Sequence, residues 1–381
     1  MHAPPPSLAY DHRGPDPTRD LMAFAKAAAL GRPVPAPTGE GQAGEMIALA
    51  RLHRCLAIVA GPLQMRPGLD QPRRAELERA EAGAWATYAV TAAAMGPVLA
   101  QAATVGLTVI AYKGAAHATR YYHVPSARPM SDVDLLVLPA EKERLYQIFH
   151  EQNFQTFAMP GREWTKAISH ERIFVPTTAG ARSADVHTAP ASPARHHLPV
   201  EELLARSRPG ILFGAPVRFL SPEDELVVMA VNHGADHFRG GFVRSLDAWL
   251  MDGAEAIDWS AVVSRAHQAG AAAVSWLMLS HARTIAGLAV PDDVLTALRP
   301  SALRRMWLAA LLDAAGFGDP RVALPRRLEQ LLLAYPTLDQ PTGFARFAAF
   351  HGGLRVLDAA QSFVDQVASG LRSPRRSAAR R

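Results

Sequence analysis

The stretch Met130-Ser131-Asp132-Val133-Asp134-Leu135-Leu136-Val137-Leu138 has two acids at its mouth and an unbroken apolar run behind them. It reads as a buried β-strand. Alternate side chains of a strand share a face, so Asp132 and Asp134 point the same way, about 7 Å apart along the chain. Val133 faces the opposite side. Two carboxylates held together at the edge of an apolar strand repel each other, and burial raises their cost. A divalent cation relieves both. Mg²⁺ favours carboxylate oxygens and commonly bridges to substrate phosphates.

The neighbouring sequence adds the other parts of a phosphate site. Upstream, Leu107–Tyr112 is β-branched and reads as a strand, and Lys113-Gly114 opens a helix through Tyr122. Glycine permits close backbone approach, and a helix N-terminus offers amide groups to an anion. Lys113 is then either a phosphate contact or a surface lysine at a helix start. Arg128 lies in the loop His123–Met130, placed either for a phosphate oxygen or for an ion pair with Asp132. Downstream, Pro139 opens a helix over Ala140–Gln152. Glu171–Pro176 and Ala184–Thr188 read as two short strands around a hairpin connection, Thr177–Arg182. Asp185 lies on the second of these. Three carboxylates from two strands suit two-metal phosphoryl chemistry.

The flanks are different in character. Residues 1–19 are rich in proline and read as a disordered leader, without the apolar run of a signal peptide. Residues 20–104 read as helical, with Leu21–Leu30, Glu45–Ala60 and Arg73–Gln101 as the helices. Residues 105–220 form the α/β core. Residues 221–369 return to helix, opened by Ser221 as N-cap with Pro222 and acids in the first turn. Residues 370–381 are a basic, disordered tail. The class expected is α+β: a small mixed sheet with helices, between two helical regions. Ala82–Tyr112 carries no charge, but its alanines and threonines and its change of style near Gly106 fit a buried helix then a strand better than a membrane span.

Charge and cysteine content narrow the function classes. The chain has 381 residues with a net charge of +5, yet five of its 40 basic residues lie in the last eleven. The remaining 370 residues carry 35 basic and 35 acidic side chains. A neutral body argues against a long nucleic-acid groove. One cysteine, Cys55, excludes a disulfide framework and, with the absence of a signal peptide, points to the cytoplasm. Only four of the basic residues are lysine, which singles out Lys113. There is no Walker phosphate loop, dinucleotide glycine fingerprint or nucleophile elbow.

Together, Lys113-Gly114, Arg128, Asp132-Val-Asp134 and Asp185-Val-His187 resemble the polymerase-β-like nucleotidyltransferase superfamily. More narrowly, they resemble a large bacterial family of uncharacterised nucleotidyltransferases. Val231-Asn-His-Gly-Ala-Asp-His237 and Arg244-Ser-Leu-Asp-Ala-Trp-Leu250 look like that family's histidine-rich helix and its Arg-x-Leu-Asp segment. The resemblance covers about residues 85–300. It departs from the superfamily's usual Gly-Ser pair, which is Gly114-Ala115 here. It implies transfer of an NMP from an NTP, with pyrophosphate release. Asp132, Asp134 and Asp185 would be catalytic and would hold Mg²⁺, with Mn²⁺ as a substitute. Lys113, Gly114, Arg128 and Ser131 would bind the nucleotide. His187, His233, His237 and Arg244 would touch the acceptor or support the site. For His233 and His237, four apart on one helix face, the alternatives are helix packing and metal ligation; for Arg244 the alternative is an ion pair with Asp247. The acceptor expected is a small molecule or peptide rather than nucleic acid. Two competing readings are an Asp-x-Asp nucleotide-sugar glycosyltransferase and a non-catalytic nucleotide- or partner-binding module of a peptide-modification pathway.

Overall fold

A computed structural model describes residues 17–34, 42–157, 170–193, 195–236, 240–314 and 338–339. The chain opens with helices α1 (Pro17–Ala29), α2 (Gln42–Leu52), α3 (Leu56–Gln64) and α4 (Gln71–Thr104). The middle holds β1 (Ile110–Ala111), α5 (Lys113–Tyr121), β2 (Asp132–Leu136), α6 (Lys142–Glu151), β3 (Phe154–Thr156), β4 (Glu171–Pro176), β5 (Ser183–His187), α7 (Val200–Arg206), β6 (Arg208–Leu212) and β7 (Ala215–Phe219). Helices α8 (Pro222–Ala235), α9 (Gly241–Ala254), α10 (Trp259–Gln268), α11 (Ala272–Ala286), α12 (Asp292–Ala297) and α13 (Ala302–Ala314) follow. The α+β class expected from the sequence is the class observed.

The seven strands form one mixed sheet in the order β3-β4-β5-β2-β1-β7-β6. β2 runs parallel to β5 and antiparallel to β1, and β1 runs parallel to β7. Val133 and Leu135 of β2, Ala184 and Val186 of β5 and Phe174 of β4 line one face. Met95, Val98 and Leu99 of α4 and Leu145, Ile148 and Phe149 of α6 cover it. On the opposite face a smaller core joins Ile110, Tyr112 and Leu136 to Val200 and Leu203 of α7 and Val228 of α8. That second face is only partly covered by apolar packing, and its uncovered end carries the acids.

The flanking helical regions close on each other. Leu21 and Phe24 of α1, Ile58 of α3, Leu246 and Leu250 of α9 and Met278 of α11 share a single apolar core. Lys26 Nζ lies 4.1 Å from the centroid of the Trp249 ring, a cation–π contact across the two regions. Among the described residues no helix is long and apolar enough to cross a membrane.

Several elements differ from expectation. The segment read as one helix over Glu45–Ala60 breaks at His53–Cys55, where Arg54 adopts φ 56°. The first strand shrinks from Leu107–Tyr112 to two residues. Helix α1 begins at Pro17, inside the stretch read as leader; the rest of that leader and the 370–381 tail lie outside the described residues. Strands β3, β6 and β7 are additional to the strands expected from the sequence. β6 is an edge strand bearing Pro209, and Pro216 of β7 lies on the side that pairs with this edge. Gly96 lets α4 rest on the β6–β7 turn, since a Cβ there would stand 2.9 Å from the Phe213 carbonyl oxygen.

Candidate active site

The parallel register of β2 and β5 sets Asp132 opposite Ser183, Asp134 opposite Asp185 and Leu136 opposite His187. On the other side of β5, Ile173 of β4 faces Asp185 and Glu171 faces His187. Register partners share a sheet face. Asp132, Asp134, Asp185, His187 and Glu171 are therefore on one side, in layers that run from the strand mouth inward. The first four are legible in the sequence as site residues; Glu171 is legible only as the start of a strand.

Asp134 is the centre of the row. It is 5 % exposed, and its Oδ1 accepts hydrogen bonds from Lys113 Nζ at 2.7 Å and pairs with His187 Nε2 at 3.1 Å. Burial would raise its pKa, but Lys113 and His187 outweigh burial and hold it below the usual carboxylate range. Asp132 goes the other way: burial and the charge of Asp134 raise it, although Ser131 Oγ donates to its Oδ1 at 3.0 Å. Burial, with Asp132, Glu171 and Asp134 close by, pushes Asp185 up to about 7. Asp185 Oδ1 and His187 Nδ1 are buried with no hydrogen-bond partner. Donor atoms of Asp134, Asp185 and His187 lie within 4.8 Å of one another. His187 thus joins this compact group where the sequence reading has Asp132.

Lys113 reaches Asp134 from a strained backbone. It opens α5 with φ 55°, a left-handed conformation that costs a non-glycine residue about 1–2 kcal/mol. Two contacts hold it there. Its side chain pairs with Asp134, and its amide donates to Glu225 Oε1 at 3.2 Å. A carboxylate from α8 therefore already serves the first amide of the helix, which the sequence leads one to expect at a phosphate. Gly114 has a packing reason as well: a Cβ there would stand 2.7 Å from Arg128 Nη1.

Glu225 begins a buried chain of charges. Its Oε1 also meets His117 Nε2 at 2.9 Å. His117 Nδ1 lies 3.1 Å from Asp247 Oδ2, which accepts from Arg128 Nη2 at 2.6 Å. Tyr122 donates its hydroxyl to Asp247 Oδ1 at 2.7 Å. Arg128 is thus bound to Asp247, and not to Asp132. Burial would lower the pKa of His117, but Glu225 and Asp247 more than offset it and bring it up to about 9. Burial would raise Asp247, but Arg128 and His117 hold it well below the carboxylate range.

This histidine makes stability depend on pH. A folded pKa of about 9 against 6.5 unfolded means that the folded chain binds the extra proton between those values. The contribution is complete below pH 6.5 and is lost as pH rises through 9. Denaturant titrations of the wild-type chain should lose up to about 3 kcal/mol over that interval. A His117→Gln chain should show a flatter profile; equal slopes would remove His117 as the cause.

The remaining expected residues lie elsewhere. His233, on α8, is buried with its ring 6.3 Å from that of His281 on α11. Arg244 pairs with Asp236 rather than with Asp247. His237 lies outside the described residues. Glu225 was legible only as one of three acids in a first turn. The signal that marks it is burial: α8 is apolar nearly all round, and acids at the start of such a helix need partners. Glu223 finds Arg265 at 3.3 Å, and Asp224 finds Arg206 at 2.9 Å.

The sequence matches, over residues 40–287, the model of a family described as uncharacterised nucleotidyltransferase. The solution structure of the antibiotic-resistance factor ANT(2'')-Ia is similar over 59% of this chain and 97% of its own, at 15% identity and a TM-score of 0.30. A likeness that distant carries no argument about the site. No curated protein matches the sequence.

Proposed function

Because the chain belongs to the uncharacterised nucleotidyltransferase family, whose model it matches over residues 40–287, we propose that it transfers an NMP from an NTP to a small-molecule or peptide acceptor in a Mg²⁺-dependent reaction. The observation that carries this reading is the convergence of Asp132, Asp134 and Asp185 on one sheet face, with Lys113 on Asp134.

These residues suit a divalent cation. Asp185 Oδ1 is buried without a partner beside a second carboxylate, a position that charge neutralisation would stabilise. Bound there, Mg²⁺ would neutralise triphosphate oxygens and lower the pKa of an attacking hydroxyl. Asp132, Asp134 and Asp185 would hold it. The acceptor oxygen attacks the α-phosphorus, the bond from that phosphorus to its bridging oxygen breaks, and pyrophosphate leaves. Asp185 receives the acceptor proton. Lys113 supplies a positive charge to a phosphate oxygen, and Ser131 orients Asp132. Arg128, bound to Asp247, holds the loop that leads into β2. Catalysis in this scheme is positioning and charge stabilisation.

The test is incubation of the full chain with each α-labelled NTP, Mg²⁺ and fractionated cell extract. The expected result is pyrophosphate release together with label on a small molecule or peptide. Nucleotide binding by calorimetry without pyrophosphate release from any fraction would leave a binding module instead.

A further inference from the structure

The row of carboxylates is not an all-oxygen site. Asp132 lies at the strand mouth, opposite Ser183. One layer further in, Asp134 faces Asp185, and one layer beyond that His187 replaces a carboxylate. The donors that gather within 4.8 Å are Asp134, Asp185 and His187.

The geometry points to His187 as a metal ligand: we propose that it completes, with Asp134 and Asp185, a mixed imidazole–carboxylate position that prefers Mn²⁺ to Mg²⁺. Two donors at right angles, each about 2.1 Å from one cation, stand about 3 Å apart. Asp134 Oδ1 and His187 Nε2 are 3.1 Å apart, the spacing of neighbouring ligands. Asp185 brings a buried oxygen with no other partner. The imidazole is held by packing: Tyr112 meets it edge-on with centroids 5.7 Å apart, and both rings are buried. Glu171, its register partner on β4, adds negative charge to the same layer.

The donor set then selects the metal. Mg²⁺ is hard, keeps its water and favours oxygen ligands. An imidazole donor favours first-row transition ions over Mg²⁺; Mn²⁺ stands lowest of them in the Irving–Williams order, and its affinity for carboxylate and water is what suits it to this oxygen-rich layer. Mn²⁺ accepts both donor types and still serves oxygen-rich substrates. This inference rests on reading the face as metal-binding, and not on nucleotidyl transfer itself; it changes the preferred ion of the proposed reaction from Mg²⁺ to Mn²⁺ and adds His187 to the carboxylates that would hold it.

The experiment is pulsed electron paramagnetic resonance of Mn²⁺ added to the full-length chain without nucleotide, with natural and with isotopically labelled histidine. The expected result is a directly bound nitrogen whose coupling changes with the label. In His187→Gln that coupling should vanish, and the Mn²⁺-over-Mg²⁺ preference in competition should fall by at least about tenfold. A Mn²⁺ spectrum with oxygen ligands only overturns the assignment, as does the lack of any bound Mn²⁺. The labelled wild-type chain gives the answer even if the variant does not fold. Turnover with an oxygen-only spectrum would overturn this inference and leave nucleotidyl transfer standing. Histidine coupling without pyrophosphate release would do the reverse.

Discussion

Asp134→Asn is expected to lower nucleotidyl transfer by about a thousandfold or more while leaving the chain folded. One oxygen of this carboxylate meets both Lys113 and His187, and its register partner is Asp185. The amide keeps the size of the side chain and removes the charge that Lys113 uses and that the proposed cation would use. Folding should survive because the Lys113 side chain is 27% exposed and can turn its charge to water. The measurement is pyrophosphate release under saturating NTP, with circular dichroism and thermal unfolding beside it. An Asn variant that keeps more than about a tenth of wild-type activity would remove Asp134 from the catalytic set.

Asp247→Ala should have the opposite profile, with the loss falling on stability. Asp247 is 1 % exposed and takes charge or hydrogen bonds from Arg128, His117 and Tyr122. Truncation leaves a guanidinium and an imidazolium buried beside an empty space. Breaking a buried pair in this way costs about 3–5 kcal/mol. Arg128 cannot escape as Lys113 can, because its side chain is 14% exposed and wedged against Gly114. Chemical denaturation of the two chains at one pH gives the difference directly. A loss below about 1 kcal/mol would mean that the network is solvated and that its charges are screened.

These two aspartates also show what could be read from the sequence. Asp134 was legible because its meaning is local: alternation puts it beside Asp132, and the apolar run behind it makes a strand. The start of α8 was legible for the same reason, as N-cap, proline and acids are neighbours in the chain. In the sequence Asp247 stands out only as lying three residues from Arg244. Its partner Arg128 is 119 residues away, and nothing local encodes that pairing. Glu225 and Lys113 are likewise 112 residues apart. The membership of the compact donor group depends on how β5 slides against β2. A shift by two residues one way would set Asp132 opposite Asp185 and Asp134 opposite His187; the other way it would set Asp134 opposite Ser183 and carry His187 out of reach. Register between parallel strands comes from the packing of both faces, so composition could name the donors but not choose among them. β6 is not legible because Pro209 and Gly210 break its pattern, and β7 alternates over only five residues with Pro216 among them.

The place of β1 has a further consequence, for the order of assembly during synthesis. β1 lies between β2 and β7, and Ile110 pairs with Arg218 more than a hundred residues later. Until the ribosome has released the chain beyond Glu225, β1 lacks one of its two neighbours and Lys113 lacks the carboxylate that holds its amide. At ordinary translation speeds that interval is on the order of ten seconds. For that time the nascent chain displays an open strand edge beside a row of acids that Lys113 offsets only in part. The charges that would later serve chemistry then have an earlier use, since like charges at an open edge discourage other chains from pairing there.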